Sequence, residues 1–271
     1  MAGVESEMQK IGCLGPEDSF SECAAKRISA ESEIKLYNSF TQAVDGLESG
    51  EVAGVVLPVE NSLNGGVFEC LDLLERRNIF AVRELLLPID HRVAMLEGVE
   101  ESAVKYVYSH EQALAQCSQY LVEHFPNAQY CSTSATVESL NRLNAESAGI
   151  VGAHVKREGV VLSPENIADG KGNFTRFVLV KRGNTPPEHS VMVLLCAVCA
   201  HKPGSLLSLL KIFQRYELNL TRIESRPVKE AFGQYRFFIE FVGDIGSERV
   251  QKAIAEARAF CTQFKLLGAY N

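Results

Sequence analysis

Apolar and polar positions along the chain switch repeatedly between a period of about two and a helical period. Residues 11–14 form a short apolar run of strand type, and 19–27 follow with helical spacing, Ser19 and Glu22 standing as a capping box. Ser39 and Gln42 repeat that signature before the helical stretch 43–47. Residues 52–59 are almost continuously apolar, the pattern of a buried parallel strand. Helical spacing returns at 67–77. Tyr106-Val107-Tyr108 reads as a strand, and Ser109 with Gln112 makes a third capping box opening a helix to about Phe125. A helix is predicted over 135–144 and a strand over 149–153. The alternation predicts α/β layers with mostly parallel sheets.

Near the middle of the chain, Asn173-Phe174-Thr175-Arg176-Phe177 leads into the apolar run 177–180, with Asp169, Gly170 and Gly172 as a flexible approach. Successive strand residues point to opposite faces. Thr175 and Arg176 can therefore serve one pocket only if the chain is still irregular where it enters the strand. Residues 182–188 then form a polar linker with two prolines. Beyond it come a strand at 191–200, a helix opened by Pro203-Gly204 and running to Tyr216, strands at 218–225 and 235–242, a helix at 248–261 and a strand at 264–268. That βαββαβ order is ferredoxin-like.

At 271 residues the chain is long enough for two domains. A net charge of -7 argues against nucleic acid as a partner. There is no apolar run of membrane-spanning length and no signal-peptide pattern, so a cytoplasmic setting is expected, with no membrane partner. The eight cysteines are scattered, and the histidines lack zinc-ligand spacing, so neither a disulfide framework nor a metal is expected. Cys196 and Cys199, three apart in a strand, point to opposite faces and read as core.

Three further segments have chemical possibilities beside ordinary structural ones. Residues 15–21 join a strand to a helix N-terminus, where free N–H groups can meet an anion, but they also suit a plain capped loop. Residues 58–66, including Glu60, Asn61 and Ser62, follow the most buried strand run; they suit either a polar-ligand site at a strand end or an Asn-Gly turn. Ser109 fits an N-cap. Gln116, seven residues on, shares its helix face and could line a cleft or meet solvent.

Taken together, the segments Gly15-Pro-x-x-Ser-Phe-Ser21, Pro58-Val-Glu-Asn-Ser-x-x-Gly65, Ser109-x-x-x-Ala-x-x-Gln-Cys117 and Asn173-x-Thr-Arg-Phe177 resemble prephenate dehydratase. Pro203-Gly-Ser-Leu206 and the run 220–227 resemble the ACT regulatory domain that accompanies it. The resemblance implies a two-lobed, periplasmic-binding-protein-like catalytic region over 8–182, with lobes at about 8–87 plus 174–182 and 88–173, and an ACT domain over 189–271. With only about ten residues before the first strand, the monofunctional form is expected. The implied reaction is the decarboxylating dehydration of prephenate to phenylpyruvate, without cofactor, under feedback by L-phenylalanine, in a homodimer or homotetramer.

By the same resemblance Thr175 assists the leaving hydroxyl and Glu60 is the candidate proton source. Arg176 takes a substrate carboxylate, and Asn61, Ser62, Ser109, Gln116, Phe177 and Ser21 complete the substrate site. Gly204, Ser205, Leu206, Glu224, Ser225, Arg226 and Pro227 are the implied effector residues. Asp18-Ser19 stands where the family usually has Gly-Thr, adding a negative charge near a dianion site, and Ser205 replaces the usual alanine. The motifs leave open arogenate in place of prephenate, and a sensor that binds without catalysis.

Overall fold

A computed structural model describes residues 9–170, 172–228 and 233–271. The expected boundary at residue 8 lies just outside them. The chain opens with β1 (Lys10–Leu14), α1 (Phe20–Ile28), β2 (Glu33–Tyr37), α2 (Phe40–Ser49), β3 (Gly54–Asn61), β4 (Gly65–Gly66), α3 (Phe68–Arg76) and β5 (Ile79–Pro88). It crosses into β6 (His91–Leu96), β7 (Tyr106–His110), α4 (Glu111–Gln116), α5 (Ser118–His124), β8 (Gln129–Thr133), β9 (Ser147–Gly152) and β10 (Val160–Leu162). It returns through β11 (Phe174–Arg182) to β12 (Met192–Val198), α6 (Ser205–Arg215), β13 (Asn219–Pro227), β14 (Tyr235–Val242), α7 (Glu248–Phe260) and β15 (Gln263–Tyr270).

These strands make two sheets. The smaller has the order β10-β6-β9-β7-β8. The larger runs β13-β14-β12-β15-β5-β11-β3-β1-β2, with β4 paired to β3. It is mixed, not mostly parallel as expected. The β1–β2 and β1–β3 pairs are parallel, but β11 runs antiparallel to both neighbours. The return of the chain from the smaller lobe forces this, because β11 re-enters from the end where β5 left. The two crossings touch: Ile89 N donates to Asn173 O at 2.8 Å.

The C-terminal βαββαβ unit joins the large sheet where β15 meets β5 at Gly268 and Ala81. A Cβ on Gly268 would lie 2.7 Å from the Ala81 Cβ, so the junction requires glycine. One face of the joined sheet packs on α2 and α3, with Val55, Val178, Leu71, Leu194, Phe238 and Tyr270 in a single core. Helices α6 and α7 cover the other face of the C-terminal strands. Cys196 faces the first core and Cys199 the second, as the strand spacing predicts.

Local signals account for the helix starts. Ser19, Ser39 and Ser247 each cap a helix by accepting from the backbone N–H three residues on. The third expected capping box is corrected. Ser109 is fully buried inside β7 and donates to Ile150 O at 2.9 Å. His110 is the cap, its Nδ1 accepting from Gln112 N. The expected continuous helix is broken at Cys117, and 136–142 is a tighter 3₁₀ helix.

Candidate active site

Where the crossings meet, a cavity of about 120 Å³ opens between the lobes. Its walls come from Phe20 on α1, Asn61 at the end of β3, Ile89 and His91 at the first crossing, His110, Gln112, Ala113 and Gln116 around α4, Thr136, and Asn173 and Thr175 at the second crossing. No lysine or arginine is among these lining residues.

A directed chain of amides runs through this wall, and its polarity starts from the backbone. The N–H groups of Leu63 and Asn64 both donate to Asn61 Oδ1, each at 3.1 Å. Asn61 Nδ2 must then face the other way. It donates to Asn173 Oδ1 at 2.9 Å and to Thr175 Oγ1 at 3.0 Å. Asn173 in turn donates through Nδ2 to Gln116 Oε1 at 3.0 Å. The same oxygen lies 3.1 Å from His91 Nε2, so that nitrogen carries the proton.

Two consequences follow for the cavity. Thr175 Oγ1 is already an acceptor, so its one proton is free to be donated. Gln116 has its oxygen doubly occupied, so its NH₂ group is the part left for a ligand. His91 is only 3% exposed, and burial holds its pKa below the usual imidazole value despite the bond it donates to Gln116. The site thus offers neutral donors.

His154 is also held below its usual value by burial. It donates through Nε2 to Asp18 O at 2.9 Å, tying the lobes together. An unfolded histidine protonates near pH 6.5. The folded His91 and His154 resist protonation until lower pH, so between these values the unfolded chain binds more protons. Their contribution to stability is therefore full above about pH 6.5 and is lost as pH falls through the folded values. The melting temperature should drop between pH 7.5 and 5.5, and His91→Gln should reduce that drop. An equal drop in both proteins would show that His91 does not contribute.

The cavity gathers Thr175, Asn61 and Gln116, which were expected, and leaves out others that were. Thr175 and Arg176 are paired in unbroken register to Leu87 and Leu86 of β5, the irregularity against β3 coming only after Arg176, and so they face opposite sides. Arg176 therefore points away from the cavity, with Nη1 2.6 Å from Glu240 Oε1 and Nε 3.5 Å from Glu60 Oε2. Glu60 is opposite Arg176 in the β3–β11 register and shares its face, so it too stands away from the cavity. Ser62 holds the crossing loop, donating to Gly172 O and accepting from Phe174 N. Ser109 is buried within β7, bonded to Ile150 O, and does not line the cavity. Phe177 is buried in the α1 core, and Ser21, half-buried on α1, does not line the cavity.

The implied effector residues are split. Ser205 and Leu206 line a hollow of about 130 Å³ at the start of α6, beside Gly204, whose φ of 82° is left-handed. Glu224 and Arg226 lie on edge strand β13 and turn toward the N-terminal lobe, where Arg226 stacks on Phe68 and sits 3.4 Å from Asp72. Ser225 between them and Pro227 after them are exposed.

Phe20, His91, His110, Asn173 and Thr136 were missing from the sequence-based set. Asn173 stood inside the quoted motif, and its place beside Thr175 was the available signal. His91 carries no local pattern, because only the crossing brings it to Gln116.

The prephenate dehydratase family profile matches residues 11–185, and the ACT domain profile matches 192–259. A prephenate dehydratase from Amycolatopsis methanolica is 31% identical across 97% of this chain and 88% of its own length. One from Methanocaldococcus jannaschii is 33% identical across 94% and 95%. The solved prephenate dehydratase of Arthrobacter aurescens, in complex with L-Phe, superposes with a TM-score of 0.88 at 31% identity, covering 96% of this chain and 89% of that one. The fold, the cavity between its lobes and these matches agree: the chain belongs to the prephenate dehydratase family and carries a C-terminal ACT domain.

Proposed function

We propose that the interlobe cavity converts prephenate to phenylpyruvate, with Thr175 as the hydroxyl that acts on the leaving group. The observation carrying this reading is the bond from Asn61 Nδ2 to Thr175 Oγ1, which leaves the threonine proton free for the cavity. In the reaction the bond from the ring to its carboxylate breaks and releases carbon dioxide. Its electron pair enters the ring, the opposite C–O bond breaks, and the hydroxide leaves as water after taking a proton. A threonine is too weak an acid to be ionised in this step. It stabilises the departing oxygen by a positioned hydrogen bond and passes on a proton that solvent restores. The Gln116 amide protons suit a substrate carboxylate. Positioning by the Asn61–Asn173–Gln116 chain supports the rate by holding substrate and donor in one geometry.

The catalytic region in this reading is 8–182, in the two lobes expected from sequence, and 189–271 is the sensing unit. L-phenylalanine is the proposed effector, and pairing of ACT domains in a homodimer or homotetramer is the proposed assembly. The Arthrobacter aurescens relative bound to L-Phe supports the effector reading. Purified protein incubated with prephenate should form phenylpyruvate, detected by its ultraviolet absorbance in alkali. Faster turnover of arogenate would transfer the reading to that substrate. Calorimetry should show L-phenylalanine binding to the full chain; no binding heat, with turnover intact, would remove the effector and leave the enzyme.

A further inference from the structure

Strand β11 presents adjacent residues to two different domains: Thr175 to the cavity and Arg176 to the C-terminal unit. Arg176 Nη1 donates to Glu240 Oε1 at 2.6 Å. Glu240, on β14, is 1% exposed, and its remaining capacity is filled from its own domain. Thr221 donates to Oε1 at 2.8 Å and Tyr270 to Oε2 at 2.6 Å. A carboxylate held on both oxygens in a buried setting has little freedom to follow a moving partner. Arg176 is likewise confined, with Glu60 3.5 Å from Nε and Glu84 3.8 Å from Nη1.

The neighbouring strand is gripped at the corresponding place. Arg222 of β13, opposite Glu240 in register, donates through Nη2 to Val59 O at 3.1 Å, two residues before Asn61. The approach is close enough that a Cβ on Gly66 would lie 2.6 Å from Arg222 Nη2 and 2.4 Å from Glu224 Oε2. The C-terminal domain thus holds β11 one residue from Thr175 and β3 two residues from Asn61. These are the two ends of the Asn61–Thr175 hydrogen bond.

We infer that Arg176 and Glu240 are positioning residues for the dehydration: the C-terminal domain sets the place of the Thr175 hydroxyl through their ion pair. This rests on the reading of Thr175 as the hydroxyl acting on prephenate. The contact removes no substrate-binding group when broken, so its loss acts on turnover. Displacement of a catalytic group by about 1 Å can cost on the order of 10²-fold.

The test is a double-mutant cycle in the full-length protein, with prephenate as substrate. Glu240→Gln should lower kcat roughly tenfold and leave KM within about twofold, given a loss smaller than a full 1 Å displacement. In a Thr175→Ala background the same substitution should change kcat less than about twofold, because the group it positions is gone. A merely structural loss of active protein would lower both backgrounds by the same factor, and that outcome overturns the inference. So does wild-type kcat in Glu240→Gln. Should Glu240→Gln fail to fold, Tyr270→Phe, which removes one bond to Glu240, takes its place with a smaller fall of the same kind; unchanged kcat there overturns the inference too. Thr175→Ala with full activity would instead refute the underlying reading of the site.

Discussion

Thr175→Ala should lower kcat by about 10²–10³-fold, the cost of removing one positioned donor from a developing oxyanion, with KM changed less than about threefold, since the residue is read as acting mainly on the leaving oxygen. The hydroxyl lies in a cavity wall with its acceptor site filled by Asn61 and its proton unspent. Its proton is therefore available when charge develops on the leaving oxygen. Thr175→Ser keeps the hydroxyl and should recover most of the turnover. Thr175→Val keeps the shape and should not. Steady-state rates on prephenate decide this, and a Thr175→Ala enzyme turning over within threefold of the parent would remove the residue from the chemistry.

Asn61→Asp should be comparably damaging, although it changes a single group at nearly constant volume. The backbone N–H groups of Leu63 and Asn64 would hold one carboxylate oxygen as they now hold Oδ1. The other oxygen would then face Asn173 Oδ1 and Thr175 Oγ1, where Asn61 now donates. Thr175 would spend its proton on the aspartate, Asn173 would lose a donor, and a negative charge would enter a cavity proposed to take a dianion. A buried polar group left unmatched costs about 1–3 kcal/mol, and charge repulsion adds to it. Together they predict a fall in kcat/KM of about 10²–10³-fold. Asn61→Ala, which breaks the chain without adding charge, should retain more activity than Asn61→Asp at every substrate concentration. The reverse order would mean that the amide's polarity is unimportant.

The two substitutions bear on how sequence and structure divide the information. Thr175, Asn61 and Gln116 were legible as candidates only because the segments carrying them resemble one family together; each alone also suited an ordinary strand start, turn or solvated helix position. Arg176 was legible as a residue and misread as a ligand. The reading required an irregular strand entrance, whereas β11 is already paired on both sides at Thr175 and Arg176. Unbroken pairing with β5 enforces alternation at these two residues, and alternation sends the guanidinium to Glu240. Glu60 follows for the same reason, since register carries it to the face of its partner. Ser109 matched a capping pattern, but β7 runs one residue further, to His110, and buried it.

The amino-acid order alone determined the alternation of helices and strands at most sites, the helix starts at Ser19 and Ser39, the βαββαβ unit behind a proline-containing linker, and the opposite faces of Cys196 and Cys199. These depend on spacing over a few residues, which the chain carries locally. Tertiary structure alone decided the antiparallel placement of β11, the meeting of His91 with Gln116, the direction of the amide chain, and the seat of Arg176 in a second domain. Each of these depends on which distant backbone lies alongside, and a strand's register, once fixed by its neighbours, sets the direction of every side chain it bears.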